Sequence, residues 1–115
     1  PVEALREAGI RMAVGTDLNP GSSPVHDIWT AATMSCVIQG LRIDEALLGI
    51  TRHAGAAMGM SNAGWIGEGS FGDLCLLRPP PGEPTQAAPL IQHLGHRGAC
   101  LTVKDGEIVY NQMNP

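Results

Sequence analysis

The chain lacks the features that define several classes of protein. Only 3% of its 115 residues are aromatic, so its apolar side chains are mostly small and suit close packing against a larger neighbour. No apolar run reaches the ~18–20 residues of a membrane span. The net charge of −4 comes without a basic stripe. We therefore expect neither a nucleic acid nor a membrane as a partner.

Cysteine is also sparse. Cys36, Cys75 and Cys100 are odd in number and lie far apart in the sequence. That spacing favours neither a disulfide framework nor a zinc knuckle. Reduced thiols are typical of the cytoplasm, so we predict a cytoplasmic protein.

The most informative segment is residues 15–24, which follows the short apolar run 12–14. Asp17 stands where a predicted strand gives way to a loop of Gly, Pro and Ser. A strand end holds the backbone of such a residue while its carboxylate faces a crevice, as active sites of barrels and α/β proteins require. The same residue types also form ordinary turns, so these residues alone leave both interpretations open.

Two motifs carry a family resemblance. Gly-Thr-Asp at 15–17 resembles the end of the eighth barrel strand in metal-dependent amidohydrolases, and Asn-Pro-Gly-Ser-Ser-Pro at 19–24 is similar to the imidazolonepropionase family. Residues 41–54, which end in Thr-Arg-His-Ala, resemble the helical segment that follows the barrel in that family. The resemblance extends over nearly the whole chain.

The resemblance implies an α/β fold in two parts. Residues 1–60 would be the last strand and following helices of a (β/α)₈ hydrolase barrel, and residues 61–115 the C-terminal strands of a small β-sandwich. A complete barrel needs about 250 residues. We therefore expect a C-terminal piece of a longer enzyme that is inactive by itself.

The resemblance also implies a chemistry. Asp17 would be both a metal ligand and the proton-transferring catalytic residue, with zinc or iron as the metal. Asn19, Gly21 and Ser22 would bind the substrate. The family reaction is hydrolysis of the cyclic amide 4-imidazolone-5-propanoate to N-formimidoyl-L-glutamate. The expected partners are this small molecule, the N-terminal part of the same chain and a second copy in a homodimer.

Two other functions remain open from the residues. One is another metal-dependent amidohydrolase, such as a deaminase or a cyclic amidase, and the other is a non-catalytic remnant or binding module. A serine hydrolase is not favoured because the Gly-x-Ser-x-Gly elbow is missing. The histidines are weaker candidates: we interpret His26 as lying beside a first helical turn, His53 as a packing and hydrogen-bonding residue, and His93 and His96 as surface or capping residues.

Residue patterns predict where the helices and strands begin and end. Ser23 as N-cap and Pro24 at the first helical position would begin a helix that ends at Gly40. Thr51 would cap a later helical turn that ends near residues 58–59. Strands are predicted at 12–14, at 71–77 and in a hairpin with an Asp-Gly turn over 100–110.

Overall fold

The computed structural model describes residues 1–113 and is a mixed α/β structure with a small antiparallel sheet. The helices are α1 (Val2–Glu7), α2 (Ile28–Val37), α3 (Ile43–Gly49), α4 (Arg52–Ala57) and α5 (Ala88–Gln92). The strands are β1 (Leu74–Leu77), β2 (Ala99–Lys104) and β3 (Glu107–Asn111). Among the described residues, no helix has the length and apolarity that crossing a bilayer requires.

A small apolar core joins α2, α3 and α5. Its buried members are Ala32, Leu41, Ala46 and Ile91, of which Ile91 is only 1% exposed. The buried Thr33 hydroxyl donates a 2.6 Å hydrogen bond to the Ile91 carbonyl and so ties α2 to α5. Small residues on α2 and α3 allow this close helix contact, as the low aromatic content predicts.

The predicted start of α2 is wrong. Asp27, and not Ser23, is the N-cap, because its Oδ2 accepts hydrogen bonds from the Thr30 amide at 2.9 Å and the Thr30 hydroxyl at 2.8 Å. The Ser23 hydroxyl instead donates to the Thr16 carbonyl at 2.7 Å. Pro24 consequently lies in the loop before the helix.

The ends of the helices follow the prediction more closely. Gly40 has a φ of +82° and closes the turn after Val37, the last residue of α2. Thr51 is the N-cap residue of α4 by position. Its hydroxyl does not cap the helix, because it donates to the Leu47 carbonyl at 2.6 Å.

The segment 12–14 is not a strand in the described structure, contrary to prediction. A strand is defined by its ladder of hydrogen bonds, and the sheet that the structure describes within residues 1–113 pairs only β1, β2 and β3. Its main-chain contact is made with helices instead, since the Val14 amide donates to the Gly49 carbonyl of α3 at 3.0 Å.

The sheet has the order β1-β2-β3, with both neighbouring pairs antiparallel. The register puts five aliphatic side chains on one face, because directly opposed residues share a face. They are Leu74, Leu76, Leu101, Val103 and Ile108. Leu74, Leu76 and Ile108 are 42%, 50% and 62% exposed, so this apolar face is largely uncovered by the rest of the described chain.

The predicted hairpin between β2 and β3 is confirmed. Asp105 and Gly106 both have positive φ, +52° and +83°, as a two-residue type I′ turn requires. The Asp73 carboxylate holds this turn from outside, since it accepts the Asp105 amide at 2.8 Å and the Lys104 ammonium at 2.9 Å. The Gly106 amide donates to the Gly72 carbonyl at 3.0 Å.

Candidate functional site

Asp17 lies at the end of the extended segment that begins at Met12. It is exposed, and its φ of +50° puts it in the left-handed region that few residues other than glycine adopt. Aspartate tolerates this conformation better than most residues, but the conformation still stores strain. Strained backbone is concentrated at functional sites, so this geometry agrees with the choice of Asp17 as a candidate.

The loop after Asp17 is organised by the Asn19 side chain. Its Nδ2 donates to the Asp17 carbonyl at 2.8 Å. Its Oδ1 accepts the amides of Gly21 at 2.9 Å and Ser22 at 2.8 Å, together with the Ser22 hydroxyl at 3.2 Å. The three residues predicted to bind substrate, Asn19, Gly21 and Ser22, are therefore brought together in one turn.

Three contacts close the base of this loop. The Asn19 amide donates to the Ser23 carbonyl at 3.0 Å, and the Ser23 hydroxyl bonds to the carbonyl of Thr16, as described above. The Thr16 hydroxyl accepts the Leu18 amide at 3.3 Å. The main chain on both sides of Asp17 is thus fixed by hydrogen bonds that do not use its carboxylate. Sequence patterns missed Thr16 and Ser23 in this role, although Ser and Thr next to turns commonly bond the backbone.

The segment before Asp17 is fixed by α3 and α4. His53 Nδ1 lies 3.1 Å from the Met12 carbonyl oxygen, and the Val14 amide bonds to Gly49. Gly49 is buried, and a Cβ there would lie 2.8 Å from Val14 Cγ2. The predicted hydrogen-bonding role of His53 is confirmed by this contact.

A second polar cluster stabilises the helices away from the loop. Arg6 of α1 donates two hydrogen bonds to the Glu45 carboxylate of α3, Nε to Oε1 at 2.6 Å and Nη2 to Oε2 at 2.8 Å. Glu45 also accepts the Arg42 amide at the start of α3. The Arg6 hydrogen bonds, helped by the Arg42 amide, lower the pKa of Glu45 to about 2.

The remaining histidines do not join Asp17 in any described contact. His93 Nε2 lies 3.2 Å from Glu83, and His96 Nε2 lies 2.8 Å from the Arg78 carbonyl, so both fasten the connection between β1 and β2. His26 is exposed in the loop before α2. Within residues 1–113, no group of three or more His, Cys, Asp or Glu side chains is arranged to hold a metal ion.

The sequence of this chain is similar to those of known proteins over nearly its whole length. The sequence profile of the Amidohydrolase family matches residues 1–110. The chain belongs to the amidohydrolase family. It is 44% identical over 111 residues to the imidazolonepropionase of Verminephrobacter eiseniae, a match that covers 95% of this chain and 23% of that protein. It is 42% identical over 108 residues to the imidazolonepropionase of Maricaulis maris, with 93% and 26% covered.

A third relative, the imidazolonepropionase of Alteromonas mediterranea, is 49% identical over 76 residues, which is 66% of this chain and 18% of the relative. The amidohydrolase chain described here therefore spans about a quarter of the length of the curated relatives it matches.

Amidohydrolases are generally metal-dependent, so the loop has to be tested as part of a metal site. The Asp17 carboxylate accepts no hydrogen bond from the other described residues, and an oxygen ligand of this kind suits zinc or iron. Asp17 fits the family chemistry as one ligand. The described residues do not supply a complete set.

Proposed function

We propose that this chain contributes the last part of an imidazolonepropionase-type hydrolase. Residues 1–60 would form the end of its metal-dependent barrel, with the extended segment 12–17 leading to its catalytic end. Residues 61–115 would form part of a β-sandwich. The uncovered apolar face of Leu74, Leu76 and Ile108 supports the sandwich, because such a face needs a second sheet against it.

The observation that carries the proposal is the anchored carboxylate of Asp17, which forms no hydrogen bond or ion pair with the rest of residues 1–113. Main-chain hydrogen bonds fix the backbone on both sides, through Asn19 and Ser23 after it and Gly49 before it. None of these bonds consumes the carboxylate. A group held rigidly and left available is what a ligand or a proton-transfer residue requires.

Each site residue then has a chemical task in hydrolysis of the imidazolone ring. A metal bound by Asp17, zinc or iron, would activate a water molecule and polarise the ring carbonyl. One Asp17 carboxylate oxygen would take a proton from the attacking water and pass it to the leaving ring nitrogen. The Ser22 hydroxyl would orient the substrate, Gly21 would leave the backbone unhindered beside it, and Asn19 would shape the loop around it. The remaining metal ligands would come from outside this chain.

A chimera tests this proposal. Residues 1–110 would replace the matched segment in the Verminephrobacter eiseniae relative, and ring opening of imidazolone propanoate would be followed by chromatography. We expect an active chimera that Asp17→Asn inactivates. Glu68→Gln is the matched control, since Glu68 is an exposed carboxylate in another loop.

The outcomes separate the alternatives. A folded chimera that opens no imidazolone ring would contradict the proposal. If the same chimera hydrolysed other cyclic amides or deaminated other substrates, a different amidohydrolase activity would replace it. Activity that survives Asp17→Asn would remove Asp17 from the chemistry.

A further inference from the structure

We infer that His53 and Gly49 are positioning residues that set the place of Asp17 through the main chain of residues 12–14. This inference rests on the proposed role of Asp17. The sequence indicated packing and a hydrogen bond for His53, but nothing in the sequence connected that hydrogen bond to the candidate site.

The first step is the geometry of the hydrogen bonds. A carbonyl oxygen only accepts, so the Nδ1 of His53 must carry the proton that bonds the Met12 carbonyl at 3.1 Å. Two residues later the Val14 amide donates to Gly49 at 3.0 Å. An extended chain directs the polar groups of residues i and i+2 toward the same edge. Residues at the junction of α3 and α4 therefore form hydrogen bonds with one edge of this segment at two successive points.

The second step is the close approach at Gly49. A Cβ at this position would lie 2.8 Å from Val14 Cγ2 and 3.3 Å from the Met12 carbonyl oxygen. Any larger residue would push the segment away from α3 and stretch both hydrogen bonds. Glycine is required here by the close approach of the Val14 side chain and the Met12 carbonyl, and not by its own dihedral angles.

The third step links these anchors to the carboxylate. Asp17 lies three positions after Val14, or about 10 Å along an extended chain. Downstream, the carbonyls of Thr16 and Asp17 are tied to the loop by Ser23 and Asn19. A displacement of Met12 and Val14 must therefore move Asp17 or break the hydrogen bonds of the loop. A misplacement of about 1 Å at a reacting group costs on the order of a hundredfold in rate.

The test uses the chimera described above with paired substitutions. His53→Leu removes the donor and keeps most of the volume, whereas His53→Asn keeps a donor near the position of Nδ1. We expect His53→Leu to lower kcat about ten- to a hundredfold with KM changed little, and His53→Asn to restore most of the loss. His93→Leu, at an exposed histidine of the β1–β2 connection, is the matched control and should leave kcat unchanged.

A double-mutant cycle separates positioning from general stability. If His53 acts through Asp17, His53→Leu should not lower metal affinity or residual activity further in an Asp17→Asn background. An additive loss, or unchanged kcat in His53→Leu alone, would overturn the inference. Should His53→Leu fail to fold, Gly49→Ala provides the second variant, and Val14→Ala beside it should recover activity by removing the Cγ2 contact. Failure of that recovery would also count against the inference.

Hydrogen exchange makes the result independent of the proposed function. In the same chimera, the peptide that contains the Val14 amide should exchange faster in His53→Leu than in the parent. Loss of the hydrogen bond from His53 to Met12 should loosen the neighbouring hydrogen bond from Val14 to Gly49. Exchange that does not change would overturn the inference even if the parent were active. An inactive parent with the expected change in exchange would contradict the proposed function and leave the positioning contact standing.

Discussion

Substitutions at Asp17 should separate the stability of the loop from its chemistry. The residue has a φ of +50°, and its anchors use only the main chain, because Asn19 Nδ2 bonds the Asp17 carbonyl. Replacement of the side chain therefore removes no hydrogen bond described in the loop. What changes is the cost of the left-handed conformation, which is about 1–2 kcal/mol for an ordinary L-residue and close to zero for glycine.

These values give an order of stability. Asp17→Gly should be at least as stable as the parent, Asp17→Asn should match the parent, and Asp17→Ala should be less stable than Asp17→Gly by about 1 kcal/mol. In a chimera of this size that difference corresponds to a shift of about 2 °C or less in Tm. All three variants should lose hydrolysis and retain metal poorly, because each lacks the carboxylate.

The assay measures Tm, bound metal and kcat/KM on the same preparations. The informative variant is Asp17→Gly, in which the fold is kept and the chemistry is lost. Substantial activity in Asp17→Gly would refute the proposed catalytic role of the carboxylate. An alanine variant more stable than the glycine variant would refute the argument from backbone strain.

Three other predictions concern the loop, the Arg6–Glu45 cluster and the helix core. Asn19→Ala should lower kcat/KM about ten- to a hundredfold, and Ser22→Ala should lower it less, since Asn19 makes several loop hydrogen bonds and the Ser22 hydroxyl donates only one, at 3.2 Å; equal losses would contradict this ranking. The pKa of Glu45 falls to about 2 in the folded chain, from an ordinary value of 4.5. The contribution of this carboxylate to the stability of the fold is therefore complete above about pH 4.5 and is lost as the pH falls toward 2. Glu45→Gln should consequently flatten the pH dependence of Tm in that range. Thr33→Val should destabilise the helices by about 1–3 kcal/mol, measured by urea unfolding, because it leaves the buried Ile91 carbonyl without its hydrogen bond; a neutral effect would show that water reaches this carbonyl.

Local sequence patterns predicted those parts of the structure that depend on neighbouring residues. The Asp105-Gly106 turn and the stop at Gly40 follow from dihedral preferences that a few residues determine. The grouping of Asn19 and Ser22 in one loop also follows from their adjacency in the sequence.

Competition between two possible N-caps and contacts between residues far apart in the sequence explain where the sequence-based predictions failed. Both Ser23 and Asp27 are good N-caps, and the sequence could not show that the Ser23 hydroxyl is used by Thr16. The pair Asp27 and Thr30, three residues apart, was the local signal in favour of the later start. The contact between His53 and Met12 joins residues 41 apart in sequence, and no local pattern predicts a contact over such a distance.

The hydrogen bonds that hold the β2–β3 turn determine where foreign sequence can be introduced. Hairpin tips are usually the preferred sites for inserting an epitope or a fluorescent label. Here the turn amides at 105 and 106 are bound by Asp73 and Gly72, and a Cβ on Gly72 would lie 2.9 Å from the Gly106 nitrogen. An insertion between Asp105 and Gly106 would pull the hairpin away from the start of β1. The proline-rich stretch after β1, with Gly82 exposed at φ +85°, offers a more permissive position for a tag.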